Sequence, residues 1–269
     1  MNGAPRCIVV RSAGTNCDGE MCRGFERAGA SVELVHLDRL VAAPGLLDRS
    51  NLIGIAGGFS YGDDLGAGRV FAVKVRERLY PRLRAAAERG VPILGICNGF
   101  QILVQTGLLP GFEPGSWPVE PAPPTTALAM NTVGRLIDDW PRVEYDGSSP
   151  CIWTRGLGSE DYGEDARRLP LASGEGRFIA EPAVLDALEA SGQIPVRYVD
   201  NLNGSSRSIA GVCDPSGRVF GLMPHPDRYL DWTHHPYWTR LGPETLRGDP
   251  PGLRLFRNAV SAVREGVAV

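Results

Sequence analysis

Ile93-Leu94-Gly95-Ile96-Cys97-Asn98-Gly99-Phe100-Gln101 is the stretch that decides how this chain folds. Its first half is a short apolar run of the kind that forms a strand buried on both faces. Its second half begins a helical pattern, so strand passes directly into helix with Cys97 at the corner. Gly95 and Gly99 stand two residues to either side, where a side chain would collide with so tight a turn. This is the arrangement of a nucleophile elbow, with cysteine in place of serine. A helix starting at the corner points its positive end at the sulfur and favours the thiolate, the reactive form. The backbone N–H of Asn98, free in the first turn, can serve an oxyanion. A buried, inert thiol behind a sheet strand, with glycines needed for packing, accounts for this stretch alone equally well.

Strands and helices alternate on the N-terminal side of the elbow. Cys7–Arg11 reads as a buried first strand, and Asp18–Ala28 as a helix ending at Gly29. Val32–His36 and Leu52–Ala56 read as the second and third strands. Gly68–Arg89 reads as one long amphipathic helix closed by Gly90, and Pro92–Ile96 as the strand entering the elbow. The β-α-β order predicts an α/β fold, a mostly parallel sheet with helices on both faces.

Beyond the elbow, Leu109–Thr126 is rich in proline and glycine and reads as a crossing loop. Met130–Leu171 has weak periodicity, with charge clusters at Asp138-Asp139 and from Glu160 to Arg168. It reads as a less regular insertion with a few antiparallel strands. Arg177–Glu181 and Val196–Val199 read as strands, Pro182–Ala190 as a helix. Ile209–Cys213 and Arg218–Leu222 read as hairpin arms around Asp214-Pro215-Ser216-Gly217, and Leu253–Val263 as a closing helix.

A length of 269 residues suits one large α/β domain, here residues 1–269 with the irregular insertion at about 110–175. A net charge of -3 argues against a nucleic-acid protein, which needs a basic face. No apolar run approaches the length of a membrane helix, and Met1–Val10 lacks the pattern of a signal peptide. Cys7, Cys17, Cys22, Cys97, Cys151 and Cys213 are scattered without paired metal spacing, which suits a cytoplasmic chain with reduced thiols. His234-His235 also lacks ligand spacing and reads as a surface pair, so no metal site is expected.

Two further motifs bear on Cys97. In Pro224-His225-Pro226-Asp227-Arg228 the prolines hold the chain extended, so His225 and Asp227 share one face. An imidazole oriented by a carboxylate is what a cysteine nucleophile needs for proton transfer in both directions. A turn histidine beside a solvated aspartate explains that pair as well. Ala56-Gly57-Gly58-Phe59-Ser60-Tyr61-Gly62-Asp63 follows the third strand, where parallel sheets place their sites. There Gly58 can supply a second oxyanion donor, though an ordinary glycine turn reads the same.

Taken together, the Gly-Gly loop, the G-x-C-x-G-x-Q elbow and the late His-Pro pair resemble the class I glutamine amidotransferases. Within that class the chain is similar over nearly its whole length to the glutaminase subunits of phosphoribosylformylglycinamidine synthases. The most specific stretches are Gly14-Thr15-Asn16-Cys17-Asp18, the Phe-Ser-Tyr-Gly-Asp loop at 59–63, Gly95–Leu103, Gly174-Glu175-Gly176-Arg177-Phe178, Tyr198–Asn201, Asn203-Gly204-Ser205, Ile209–Cys213 and Gly221–Pro226. The resemblance implies a flavodoxin-like sheet and a set of roles. Cys97 attacks the carboxamide of L-glutamine and forms a thioester. His225 handles the protons and Asp227 orients it. Gly58 and Asn98 hold the oxyanion, and Gln101 contacts the amino-acid end of the substrate. Ammonia would pass to a synthetase subunit, with or without a small bridging subunit, in de novo purine biosynthesis. ATP and magnesium would act there on formylglycinamide ribonucleotide, and none in this chain, which has no G-x-x-x-x-G-K-[ST] loop.

The chain departs from the family pattern at several points. Asp227 stands where glutamate is usual, one methylene shorter. Ser173 replaces a histidine before Gly174. Ala13 replaces a proline, Leu136–Trp140 departs from an aromatic-Cys-Arg stretch, and Trp232–Pro251 is longer. These departures leave open a scaffold or regulatory subunit that keeps the fold without the catalysis. A cysteine hydrolase acting on another amide would place histidine close after the cysteine, and no histidine lies between His36 and His225.

Overall fold

A computed structural model describes residues 3–158 and 161–266. Glu160, at one end of the second charge cluster, lies outside the described residues. The first half runs β1 (Arg6–Arg11), α1 (Asp18–Arg27), β2 (Ser31–His36), α2 (Leu37–Ala42), β3 (Leu52–Ile55), α3 (Arg69–Arg78), α4 (Tyr80–Glu88), β4 (Ile93–Ile96) and α5 (Asn98–Gln105). The second half runs β5 (Thr126–Ala129), β6 (Ile137–Asp139), β7 (Val143–Tyr145), β8 (Leu171–Ser173), β9 (Arg177–Ala180), α6 (Pro182–Ala190), β10 (Val196–Tyr198), β11 (Ile209–Cys213), β12 (Val219–Leu222) and α7 (Pro251–Arg264).

The main sheet has eight strands in the order β2-β1-β3-β4-β12-β11-β10-β7. Pairing is parallel from β2 through β12 and antiparallel from β12 to β7. Two small antiparallel pairs, β5-β9 and β6-β8, stand beside it. The expected insertion is thus split, because β7 joins the edge of the main sheet while β6 and β8 form a separate ribbon.

Missing side chains let the helices approach. On one face of the sheet Gly221 and Gly95 lie side by side in register. A Cβ on Gly221 would sit 1.9 Å from the Phe100 ring, and one on Gly95 would sit 2.6 Å from the Gly99 backbone, so α5 lies close against that face. Gly54 does the same on the opposite face, where its Cβ would meet Met21 of α1 at 2.6 Å. Helix α7 packs beside α1, and Phe256 meets Phe25 edge to face with centroids 4.9 Å apart. Burying each such ring contributes about 1.5–3 kcal/mol.

One expected element is divided. Gly68–Arg89 forms two helices, α3 and α4, with Leu79 between them at φ -122°. Pro81 is the physical reason, since it has no N–H to give the carbonyl of Glu77 and its ring would clash there. Helix α2 was not foreseen. His36 Nδ1 caps it by accepting the N–H of Asp38 at 3.2 Å. The Asp214 turn forms as expected, and its carboxylate accepts the N–H groups of Arg218 and Val219 at 2.9 Å each.

Candidate active site

Four strands of the parallel layer, β1, β3, β4 and β12, deliver their following loops to one end of the sheet. A cavity of about 220 Å³ opens there, lined by residues from all four loops and from the β8-β9 connection. In such sheets the carboxyl ends of the strands are where ligands bind.

Cys97 occupies the corner between β4 and α5 with φ +52°, a left-handed conformation costly for a side-chain-bearing residue. The turn holds because Cys97 N–H donates to the Leu222 carbonyl at 2.8 Å, which ties the elbow to β12. Gly99 has no alternative, since a Cβ there would lie 1.9 Å from the Ile55 carbonyl. Cys97 is buried to 7% exposure and lines the cavity.

His225 follows β12, with its backbone N–H on the Pro170 carbonyl at 2.7 Å. Cys97 and His225 both lie against Gly57, and the thiol itself faces the Ala172 carbonyl at 3.8 Å. A Cβ on that glycine would lie 3.0 Å from His225 Cε1 and 3.4 Å from Cys97 Cβ. On the other side Asp227 Oδ1 stands 3.2 Å from His225 Nδ1, and both side chains are buried. The shorter aspartate therefore reaches its histidine. The local backbone is not extended as expected, because Pro226–Arg228 forms one turn of 3-10 helix that brings the carboxylate back onto the ring. Burial opposes the imidazolium, but the charges of Asp227 and Cys97 outweigh it and hold the His225 pKa well above its ordinary value. With Nδ1 facing Asp227, Nε2 is the nitrogen free to exchange protons with a substrate.

Gly58 adopts φ +132°, and a Cβ would lie 2.6 Å from the Asn16 nitrogen. Asn98 opens α5, where first-turn N–H groups have no partner inside the helix. Gln101 also lines the cavity, but its amide is engaged at both ends. Its oxygen accepts from Asn98 Nδ2 at 3.0 Å, and its nitrogen donates to the Glu175 carbonyl at 2.6 Å. All six residues singled out from the sequence thus lie at this end of the sheet, and four of them, Gly58, Cys97, Gln101 and His225, line the cavity itself. The exceptions are Asp227, which lies behind the His225 ring, and Asn98, whose side chain donates to Asp63 Oδ1 at 3.1 Å.

Several neighbours carried no sequence signal beyond membership of a similar motif. Arg228 donates to Cys17 Sγ at 3.0 Å, and Cys17 in turn interacts with the His225 ring. Asn131 and Asn203 clamp the 173–176 loop from behind. Asn131 bonds the Ser173 carbonyl at 2.7 Å and the Gly176 N–H at 3.2 Å, while Asn203 bonds the Gly176 carbonyl at 2.8 Å. Buried asparagines reveal their partners only in the fold. The His234-His235 pair is not a surface pair. His234 is exposed, but His235 is buried to 1%, bonded to the Asp165 carbonyl at 2.9 Å and packed against Trp140 and Tyr229.

No helix among the described residues is long and apolar enough to cross a membrane. Residues 4–263 match the family of CobB/CobQ-like glutamine amidotransferase domains. The chain is 39% identical to a phosphoribosylformylglycinamidine synthase subunit PurQ of Dehalococcoides mccartyi, over 97% of this chain and 98% of that one. It is 40% identical to the PurQ subunit of Mycobacterium tuberculosis, over 97% and 99%. Among solved structures it is similar to PurLQS from Thermotoga maritima, with a TM-score of 0.71 and 33% identity over 96% of this chain and 98% of that one. A glycine-flanked cysteine elbow facing a carboxylate-bound histidine, on a flavodoxin-ordered sheet, and a family match along almost the whole length lead to one assignment: the chain belongs to the CobB/CobQ-like glutamine amidotransferases.

Proposed function

We propose that this chain is the glutaminase subunit of a phosphoribosylformylglycinamidine synthase. It hydrolyses L-glutamine to glutamate and ammonia, and ammonia passes to an ATP-dependent synthetase subunit that makes formylglycinamidine ribonucleotide in de novo purine biosynthesis. The observation that carries the catalytic half is the convergence of Cys97 and His225 over Gly57, with Asp227 behind the ring. The identity of its relatives supports the pathway half.

Each step of this reading has a residue to carry it. Cys97 Sγ adds to the carboxamide carbon of glutamine while the N–H groups of Gly58 and Asn98 take the developing oxyanion. The C–N bond breaks as His225 Nε2 gives its proton to the leaving nitrogen, which departs as ammonia. A glutamyl thioester remains on Cys97. His225, now neutral, removes a proton from water, and the resulting hydroxide attacks the thioester carbon. The C–S bond breaks, returning the thiolate and releasing glutamate. Gln101 borders the amino-acid end of the substrate and fixes the Glu175 segment beside it.

The reaction sequence leaves ATP and magnesium to the synthetase subunit, with a small bridging subunit as a further component, and the complex in the cytoplasm. Glutamate release by the chain alone and with the synthetase subunit tests the whole reading. Release should be low alone, raised by the partner, and abolished by Cys97→Ala. Equal rates for wild type and Cys97→Ala, with no labelling of Cys97 by an alkylating glutamine analogue, would leave a scaffold subunit instead.

A further inference from the structure

A second thiol stands in the cavity and takes no part in the reaction sequence. Cys17 lines the cavity with Cys97 and is buried to 1% exposure. It occupies the N-cap of α1, where a side-chain acceptor ordinarily takes a first-turn N–H. Its sulfur makes no such bond. Its S–H donates to Asn16 Oδ1 at 3.3 Å, and Arg228 Nη2, 211 residues away in the chain, donates to the sulfur at 3.0 Å. The same sulfur contacts the His225 ring. Asp227 Oδ1 already faces Nδ1 of that ring, so the sulfur meets it on the Nε2 side. The backbone fixes both partners. Cys17 N–H donates to the Gly57 carbonyl at 3.3 Å, and a Cβ on Gly57 would lie 3.0 Å from His225 Cε1. Arg228 belongs to the same 3-10 turn as Asp227, and its N–H donates to the His225 carbonyl at 3.1 Å. One turn therefore sends a carboxylate to one edge of the ring and, through a guanidinium, holds a sulfur at the other.

We propose that Cys17 and Arg228 are a second positioning pair for His225, with Cys17 holding the Nε2 edge of the ring and Arg228 holding the sulfur. The proposal rests on the glutaminase reading of the same cavity. A single hydrogen bond at Nδ1 leaves the ring free to tilt about that bond, and a displacement of about 1 Å at a reacting nitrogen loses much of the rate. Contacts at both edges remove that freedom. Sulfur suits the second contact because it is a weak acceptor. It steadies the Nε2 proton and yields it when the carboxamide nitrogen arrives, whereas an oxygen acceptor would hold it more tightly. The charges agree. Asp227 from the turn and Cys97 from the elbow favour the imidazolium, and Cys17 adds to them. Arg228 is a half-buried cation faced by Asp227 and by Glu20 of α1. With Cys17 in between, the guanidinium spends a donor on the sulfur. Without it, two cations face each other in a site shielded from water.

The test is a double-mutant cycle on glutamate release by the chain in complex with its synthetase subunit. Cys17→Ala removes the sulfur, and Arg228→Met removes the guanidinium at similar length. Each should lower kcat roughly tenfold and leave KM for glutamine within about twofold. The double variant should lose no more than the larger single loss, as residues acting through one contact do, rather than roughly a hundredfold. In Cys17→Ala the alkaline limb of kcat/KM should move to lower pH, because the imidazolium loses an acceptor and gains an unshielded cation. Cys17→Ser keeps an acceptor and should recover part of the loss, and it stands in for Cys17→Ala if that variant melts below the assay temperature. Single losses that multiply in the double variant, or a kcat and an alkaline limb unchanged in Cys17→Ala and Cys17→Ser, overturn the proposal and leave the glutaminase reading intact. A wild type that releases no glutamate even in the complex overturns both.

Discussion

Asp227→Asn removes one charge from the site while keeping size and an acceptor atom. Its Oδ1 is 3.2 Å from His225 Nδ1, and both groups are shielded from water. With an effective dielectric constant of about 20, a full charge at that distance is worth roughly 5 kcal/mol to the imidazolium. Even half of that, after relaxation of the buried pair, brings the His225 pKa down from its raised position. The sign follows directly. In the wild type the histidine holds its proton above its ordinary range, so the acid needed by the leaving ammonia persists as pH rises. In the variant the proton is lost earlier, and the alkaline limb of kcat/KM moves to lower pH. That limb belongs to the coupled Cys97–His225 pair rather than to either group. At neutral pH glutamate release should fall by a factor on the order of 10²–10⁴, the usual worth of positioned acid-base catalysis. Stability shifts in the matching sense. A raised folded-state pKa adds stability that is complete below the unfolded histidine pKa of about 6.5 and fades as pH climbs through the folded value. The difference in unfolding free energy between wild type and Asp227→Asn should therefore shrink toward alkaline pH. The measurements are a pH profile of glutamate release in the complex and urea melts at several pH values. An alkaline limb that stays where the wild type has it would refute the reasoning.

Three further outcomes follow from particular contacts. Gly99→Ala places a methyl 1.9 Å from the Ile55 carbonyl, so α5 must lift off the sheet. Thermal denaturation should show a loss of more than about 3 kcal/mol, well beyond an ordinary glycine substitution. Cys17→Ser replaces the sulfur that accepts from Arg228 at 3.0 Å and interacts with His225. It should leave the melting temperature nearly unchanged and lower kcat several-fold with little change in KM, as steady-state kinetics would reveal. His235→Ala deletes the acceptor for the Tyr237 N–H and a ring packed against Trp140 and Tyr229. It should cost about 2–3 kcal/mol in chemical denaturation while glutamate release by the surviving folded fraction persists.

What the sequence could reveal depended on whether a residue's reason was local. The elbow was legible because Gly95, Cys97 and Gly99 answer to one another within a few residues, and the clash distances show how little freedom that corner has. The alternating strands were legible for the same reason, since burial on both faces leaves continuous apolar runs such as Leu52–Ile55 and Ile93–Ile96. Pro81 was equally visible, yet its effect on a helix that keeps the same amphipathic face on both sides of Leu79 was outweighed by the periodicity. His225 and Asp227 were found, but as an extended pair. The 3-10 turn that joins them is set by packing under α7, where Gly252 lies against the Pro226 and Tyr229 carbonyls with no room for a Cβ. His235 was misplaced because nothing next to it in sequence announces Trp140 or Tyr229, which arrive from elsewhere in the chain.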